Sequence, residues 1–304
     1  MKKIYLLLLS ISVLVACSNS SENSNDANGD NADSLEAKAI EPADEFKQQV
    51  FYPIPSPEQM FDFINEVGIN YSVELIQDPA NAGKHNDPTS MALNFGVYTA
   101  DLAYAAAYED IETTVELYQI VNDIAADMSI EDMVDKVVMK EVKRNLQNRD
   151  SLSVIAGRAY YDAVGYLEQN EMHGKLALMS LGGWIESMYI SLSSISEFNE
   201  GSVTAQRIAD QKITFGNLYT FLKKYENERG VSEATQKLKE IRSLFASLPE
   251  KRVAKSSPSK DGGKMILSSS RKISISENQF NILKEAVNQY RSSITSTAKN
   301  KSQS

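Results

Sequence analysis

The chain of 304 residues carries 41 acidic and 31 basic side chains, a formal charge of −10, with 42% hydrophobic and 8% aromatic residues. That composition describes a globular protein with one large core or two modest ones, and its acidity argues against nucleic acid as a partner. One cysteine excludes a disulfide framework and a cysteine-based zinc site, and two histidines leave too little for a histidine-rich one, so no metal site is read.

Lys2 and Lys3 precede an apolar run from Ile4 to Val15. The run is shorter than the ~20 residues of a membrane-spanning helix. It ends in Leu14-Val15-Ala16-Cys17, with a branched apolar residue three places before the cysteine and a small residue directly before it. This tetrapeptide resembles the lipobox of bacterial lipoprotein precursors. The resemblance implies removal of residues 1–16 as a signal peptide. It also implies a diacylglyceryl thioether on Cys17 and an acyl chain such as palmitate on the new amino group, with no other cofactor. Each buried methylene contributes ~0.8 kcal/mol, so several chains anchor stably where one does not. Ser18 stands where an aspartate would favour inner-membrane retention, and by family analogy this points to the outer membrane, on either face.

Residues 17–45 form a tether holding eight acids and one lysine, with hardly a large apolar side chain. Such a stretch cannot bury enough surface to offset its ordering entropy. As a flexible coil it reaches about 30 Å. A helical body is expected over 46–249, and a basic Ser/Lys-rich loop with a C-terminal helix over 250–304. Residues 251–304 hold 11 basic and 3 acidic residues. That basic tail can fold back on the acidic body, the preferred reading, or touch anionic headgroups.

In chain order, Tyr52-Pro53-Ile54-Pro55 is extended because proline excludes the helical region for the residue before it. Ser56-Pro57-Glu58-Gln59 opens a helix that Gly68 stops. Asp87-Pro88 starts a second, to about Glu109. Further helices are expected near 111–128, 131–148, 151–171, 174–197, 203–228 and 232–247, with Asp110, Ser129, Asp150, Ser202 and Ser232 as caps. Pro249 closes this array. Lys272-Ile-Ser-Ile-Ser alternates and fits a short strand within 265–275. Ser276-Glu-Asn-Gln279 is a capping box that opens a final helix. The fold class is all-α: antiparallel helical hairpins, tetratricopeptide-like in architecture or an irregular bundle, with a short β segment. The Tyr52–Pro57 segment and the stretch from Gly96 to Tyr104 resemble uncharacterised all-helical lipoproteins of Gram-negative bacteria, a likeness that implies fold and location but no chemistry.

Helical projection puts Met91, Phe95, Tyr98, Leu102, Ala105 and Ala106 on one stripe of the helix from 88, and Leu93, Val97, Ala100, Tyr104 and Tyr108 on another. A helix apolar on two sides is sandwiched, and Asp101 and Asn94 lie in the seam. Between Leu176 and Ser196 the one charged residue is Glu186. Gly182 and Gly183 there permit close approach of a neighbouring backbone. Asp101, Asp162 and Glu186 are thus carboxylates on internal helices, and with Tyr98, Tyr161 and Trp184 they could line a pocket for a sugar, a cation or a metal. The blander reading, preferred, is a set of structural partners: Arg158 within reach of Asp162, a tyrosine hydroxyl for Asp101, solvent for Glu186.

No catalytic residue is read. His85 and His173 read as solvated loop residues. A nucleophile elbow, a phosphate loop and a di-iron Glu-x-x-His pair are all missing from the sequence. The expected function is a lipid-anchored outer-membrane lipoprotein acting as a non-catalytic binding or scaffolding module, with an envelope protein or glycan as partner. The alternative is a ligand-binding or hydrolytic protein for glycan or peptidoglycan fragments.

Overall fold

The computed structural model describes residues 70–131, 140–142, 144–145, 148–257 and 266–296, all within the compact unit Phe51–Ser304. The leader, Cys17, the tether and the helix expected at 56–68 lie outside the described residues, as does most of the helix expected at 131–148.

The fold is all-α with a short β segment. Two 3₁₀ turns, Val73–Leu75 and Pro79–Lys84, lead into α1 (Pro88–Ala107), followed by α2 (Ile111–Asp127), α3 (Arg149–Gln169) and α4 (His173–Ser193). Next come α5 (Val203–Lys224), α6 (Val231–Gln236) and α7 (Lys239–Ser247); strands β1 (Glu250–Ser257) and β2 (Ile266–Ile273) precede α8 (Glu277–Thr295). The strands pair antiparallel in a two-stranded ribbon, with Glu250 opposite Ile273 and Ser257 opposite Ile266.

Local chemistry sets most helix starts. The Asp87 carboxylate accepts from the N–H groups of Thr89 (3.1 Å) and Ser90 (3.0 Å), with Pro88 at the first helical position where no donor is needed. Asp110 caps α2 by accepting from Thr113 N–H, Asn148 caps α3 and Ser202 caps α5. The Ser276 and Gln279 capping box forms at the start of α8. Replacing Ser276 by alanine is expected to cost about 1 kcal/mol in urea unfolding.

Three expected caps are corrected. Ser129 follows α2 instead of starting a helix: at φ 54° it is left-handed, and Ile130 N–H reaches back to the Ala125 carbonyl. Glu109 and Glu171 end α1 and α3 in the same way, at φ 60° and 56°. Asp150 lies inside α3. Ser232 lies inside α6, whose cap is Gly230 at φ 80°. The single helix expected at 232–247 is two, α6 and α7.

Of the two architectures open to the sequence, the irregular bundle is the one formed. The most extensive helix interface joins α1 to α4, which are not neighbours in the chain, and α4 also packs against α3, α5 and α8. Gly96 and Gly182 make this possible. A Cβ on Gly96 would run into the Met179 carbonyl oxygen, and one on Gly182 into the Leu93 carbonyl oxygen. Thirteen residues of α1 are buried, from Ala92 to Ala107, so both its apolar stripes are covered. On the other side of α4, Trp184 packs against Phe215 of α5 (ring centroids 5.1 Å) and Phe245 of α7 (6.2 Å).

Candidate functional site

The α1–α4 interface encloses two carboxyl groups. Asp101 and Glu186 are both 0% exposed, and each needs a partner or a proton at such burial. Glu186 has a partner: Arg291 of α8 donates from Nε to Oε2 (2.6 Å) and from Nη2 to Oε1 (2.8 Å), a two-pronged pairing. The guanidinium carbon lies 3.9 Å from the Tyr189 ring centroid, and Nη2 also reaches the Leu75 carbonyl at 3.4 Å. Burial works against the Arg291 charge, but the hydrogen bonds and charge of Glu186 outweigh it and raise its pKa.

Asp101 has no cation of its own. The Gln77 N–H donates to Oδ2 (3.0 Å), while no N–H or hydroxyl donor reaches Oδ1. An ionised Asp101 would also face the charge of Glu186. Two buried acids with one guanidinium between them cannot both ionise without a large electrostatic cost, so one keeps its proton. Burial, then the charge of Glu186, push the Asp101 pKa well above the usual carboxylate range. Burial also raises Glu186, but the Arg291 guanidinium opposes that rise. The proton therefore belongs to Asp101, and Glu186 is the ionised partner of Arg291.

This assignment has a pH signature. The unfolded chain loses the Asp101 proton near pH ~3.9, and the folded chain holds it to higher pH. Between those values the unfolded state binds fewer protons, so this contribution to stability is complete below about pH 4 and declines as pH rises through the folded pKa. Asparagine keeps an oxygen for the Gln77 N–H and does not titrate. Asp101→Asn is expected within about 1 kcal/mol of the parent in neutral urea titrations, and to gain on it as pH rises toward 9. A parent and variant that keep a constant gap across that range would show that Asp101 is ionised.

The segment 70–87 lies over this pair. Tyr98 donates to the Asp78 carbonyl (3.0 Å), Tyr104 accepts from Ser72 N–H (3.0 Å), and Tyr71 donates to Asp110 (2.6 Å). Gln77 Nε2 reaches the Thr295 carbonyl (3.4 Å), and Asn94 Nδ2 donates to the Ile294 carbonyl (2.8 Å). Burial raises the Tyr98 pKa, so its hydroxyl stays a donor. The polar groups thus tie together four parts of the chain: segment 70–87, α1, α4 and α8.

The six expected pocket residues do not meet. Asp101, Glu186 and Tyr98 belong to one network. Trp184 is buried two residues from Glu186, roughly opposite on the helix, where its Nε1 faces Gln211 (3.3 Å). Asp162 is exposed on α3, and Tyr161 is 47% exposed with its ring edge-on to Tyr160. The structural partners also differ from the expected ones: Arg158 pairs with Glu141, Asp101 accepts from a backbone N–H, and Glu186 meets arginine instead of solvent.

Neither histidine is a solvated loop residue. His85 is 8% exposed with Nδ1 against Ser90 Oγ (2.9 Å), and burial lowers its pKa. His173 opens α4 and stacks on Tyr225 (4.6 Å). Sequence reasoning missed Arg291 and Gln77. The signal for Arg291 was present: it sits one turn from Val287 and Ile294 on the buried stripe of α8, and the lone Glu186 in an apolar helix required a cation.

The fold and its interior therefore define an all-α protein cross-braced by a buried Asp–Glu–Arg network and carrying one β-ribbon. Compared with known proteins, the chain matches no family model, no curated protein and no solved structure. Among the described residues no helix is long and apolar enough to cross a membrane, and no group of three or more His, Cys, Asp or Glu could hold a metal ion.

Proposed function

We propose that the protein is an outer-membrane lipoprotein, anchored through Cys17, whose helical body is a non-catalytic binding or scaffolding module of the cell envelope. The observation that carries this reading is the engagement of the buried acids: Glu186 is taken up by Arg291, and Asp101 accepts from the Gln77 N–H. Acids so committed act as tie points for chain segments. The separation of Tyr161 and Asp162 from that network supports the same conclusion, because the glycan pocket required all six residues together. The lipobox supports the anchor, and no span among the described helices competes with it.

Mass spectrometry of the protein isolated from its cells is expected to give a chain that starts at Cys17 with a diacylglyceryl thioether and an N-acyl chain. A bare sulfur, or a leader still attached, overturns the anchor. Crosslinking and affinity capture from intact envelopes is expected to recover a partner that Asp101→Asn retains. Specific binding of a peptidoglycan fragment lost in Asp101→Asn, with folding unchanged, would favour the ligand-binding alternative.

A further inference from the structure

The ribbon is built against its own electrostatics. In its register Lys251 stands opposite Lys272, and Arg252 opposite Arg271. Like charges directly opposed across an antiparallel pair are destabilising, and a two-stranded ribbon is marginal even without that penalty. Its strands hold five basic residues and one acid, Glu250. That acid is already engaged by Lys212 of α5 (2.7 Å). Lys251, Arg252 and Lys272 are exposed.

Protection of an open sheet edge does not account for this arrangement. Charged residues do keep edge strands from pairing with other chains, but opposite charges across the ribbon would serve as well and attract each other. Two consecutive like pairs give up that attraction, and a partner that supplies negative charge restores it. Consecutive positions on a strand alternate faces, so Lys251 and Arg252 bring positive charge to both faces of the ribbon. Charge on both faces suits an extended surface more than a ligand gripped on one side. The chain as a whole carries a net charge of −10, which disfavours nucleic acid as the polyanion.

We infer that the β1–β2 ribbon is a second membrane contact that docks on an anionic lipid surface through Lys251, Arg252 and Lys272. The choice of lipid rests on the anchored-lipoprotein reading, since a tethered body meets a bilayer before any other polyanion. The base of the ribbon is held to the body where Gln206 Nε2 of α5 donates to the Ile273 carbonyl (3.0 Å) and Ser274 N–H to the Pro249 carbonyl (3.1 Å). Docking would therefore orient the helical body on the membrane, which a long flexible tether alone cannot do.

The test is amide hydrogen exchange of residues 250–257 and 266–273 in the full protein as purified from cells. It is mixed with vesicles of phosphatidylcholine alone or with about one third phosphatidylglycerol. Exchange is expected to slow at least about tenfold on the anionic vesicles only, and to recover in about 1 M salt, where the Debye length is about 3 Å. The variant with Lys251, Arg252 and Lys272 all changed to Gln should lose this response. It should also exchange no faster than the parent without vesicles, because its like-charge pairs are gone; that comparison separates lost docking from lost folding. Equal exchange on both vesicles overturns the inference, as does protection by inorganic phosphate alone, which would mark a small-anion site. Failure of the anchor reading is recognised separately, by an unmodified Cys17 in the same preparation.

Discussion

Arg291→Met is expected to destabilise the protein by about 3–5 kcal/mol in urea or guanidinium unfolding at neutral pH, because it leaves the Glu186 charge buried without its cation. Methionine has nearly the bulk of arginine, so the loss reads as electrostatic more than as a cavity. Arg291 is 13% exposed and Glu186 0%, and solvent cannot replace what is removed. The counterpart, Arg291→Met combined with Glu186→Leu, should recover more than half of the lost stability. Replacing a whole buried pair by apolar groups is often neutral or better. Recovery will be incomplete, because the contact of Arg291 Nη2 with the Leu75 carbonyl is lost as well, at about 1 kcal/mol. A double-mutant cycle gives the coupling directly. A single-variant loss under about 1 kcal/mol would mean that Glu186 takes up a proton as easily as it binds Arg291, and the proton assignment to Asp101 would have to be reversed.

Gly182→Ala is the second large effect, expected to cost at least about 3 kcal/mol. The added methyl would overlap the Leu93 carbonyl oxygen, and 2.8 Å away lies the Leu93 carbonyl carbon. Both are backbone atoms of α1, which cannot rotate away as a side chain would. Relief requires α1 and α4 to separate, and their separation loosens the cover over Asp101 and Glu186. Gly216 of α5 is the control: it is exposed, and a methyl added there would meet nothing within 4 Å. Gly216→Ala should stabilise by about 0.5–1 kcal/mol through the unfolded chain and helix propensity. Thermal or chemical unfolding of the two variants side by side distinguishes close packing from the ordinary cost of glycine in a helix.

The helices were legible where their signals are local. Asp87-Pro88, Asp110, Ser202 and the Ser276 and Gln279 box each act over one turn, so reading them needs no knowledge of the fold. The errors fell where a residue has two local roles. Ser129 suits a helix start, yet the left-handed turn that lets Ile130 N–H return to Ala125 uses it as a stop. The break between α6 and α7 carried no proline or glycine to announce it.

The candidate site was half legible. Two stripes on α1 and a lone acid on α4 were enough to place Asp101 and Glu186 inside. They were not enough to exclude Asp162, because Tyr161 and Ala163 flank it with apolar bulk on a helix whose exposed face looks similar in sequence. His85 shows the same limit: its loop is polar, and only its contact with Ser90 at the head of α1 takes it out of water.

From its residues alone the chain determines the starts of α1, α2, α5 and α8, because each depends on neighbours within a few positions. Tertiary structure decided which charges meet. Glu186 and Arg291 stand 105 positions apart, and no local pattern couples them. The proton on Asp101 was decided there too, since it follows from removing water around two carboxyl groups at once, which only the assembled α1–α4–α8 interior does.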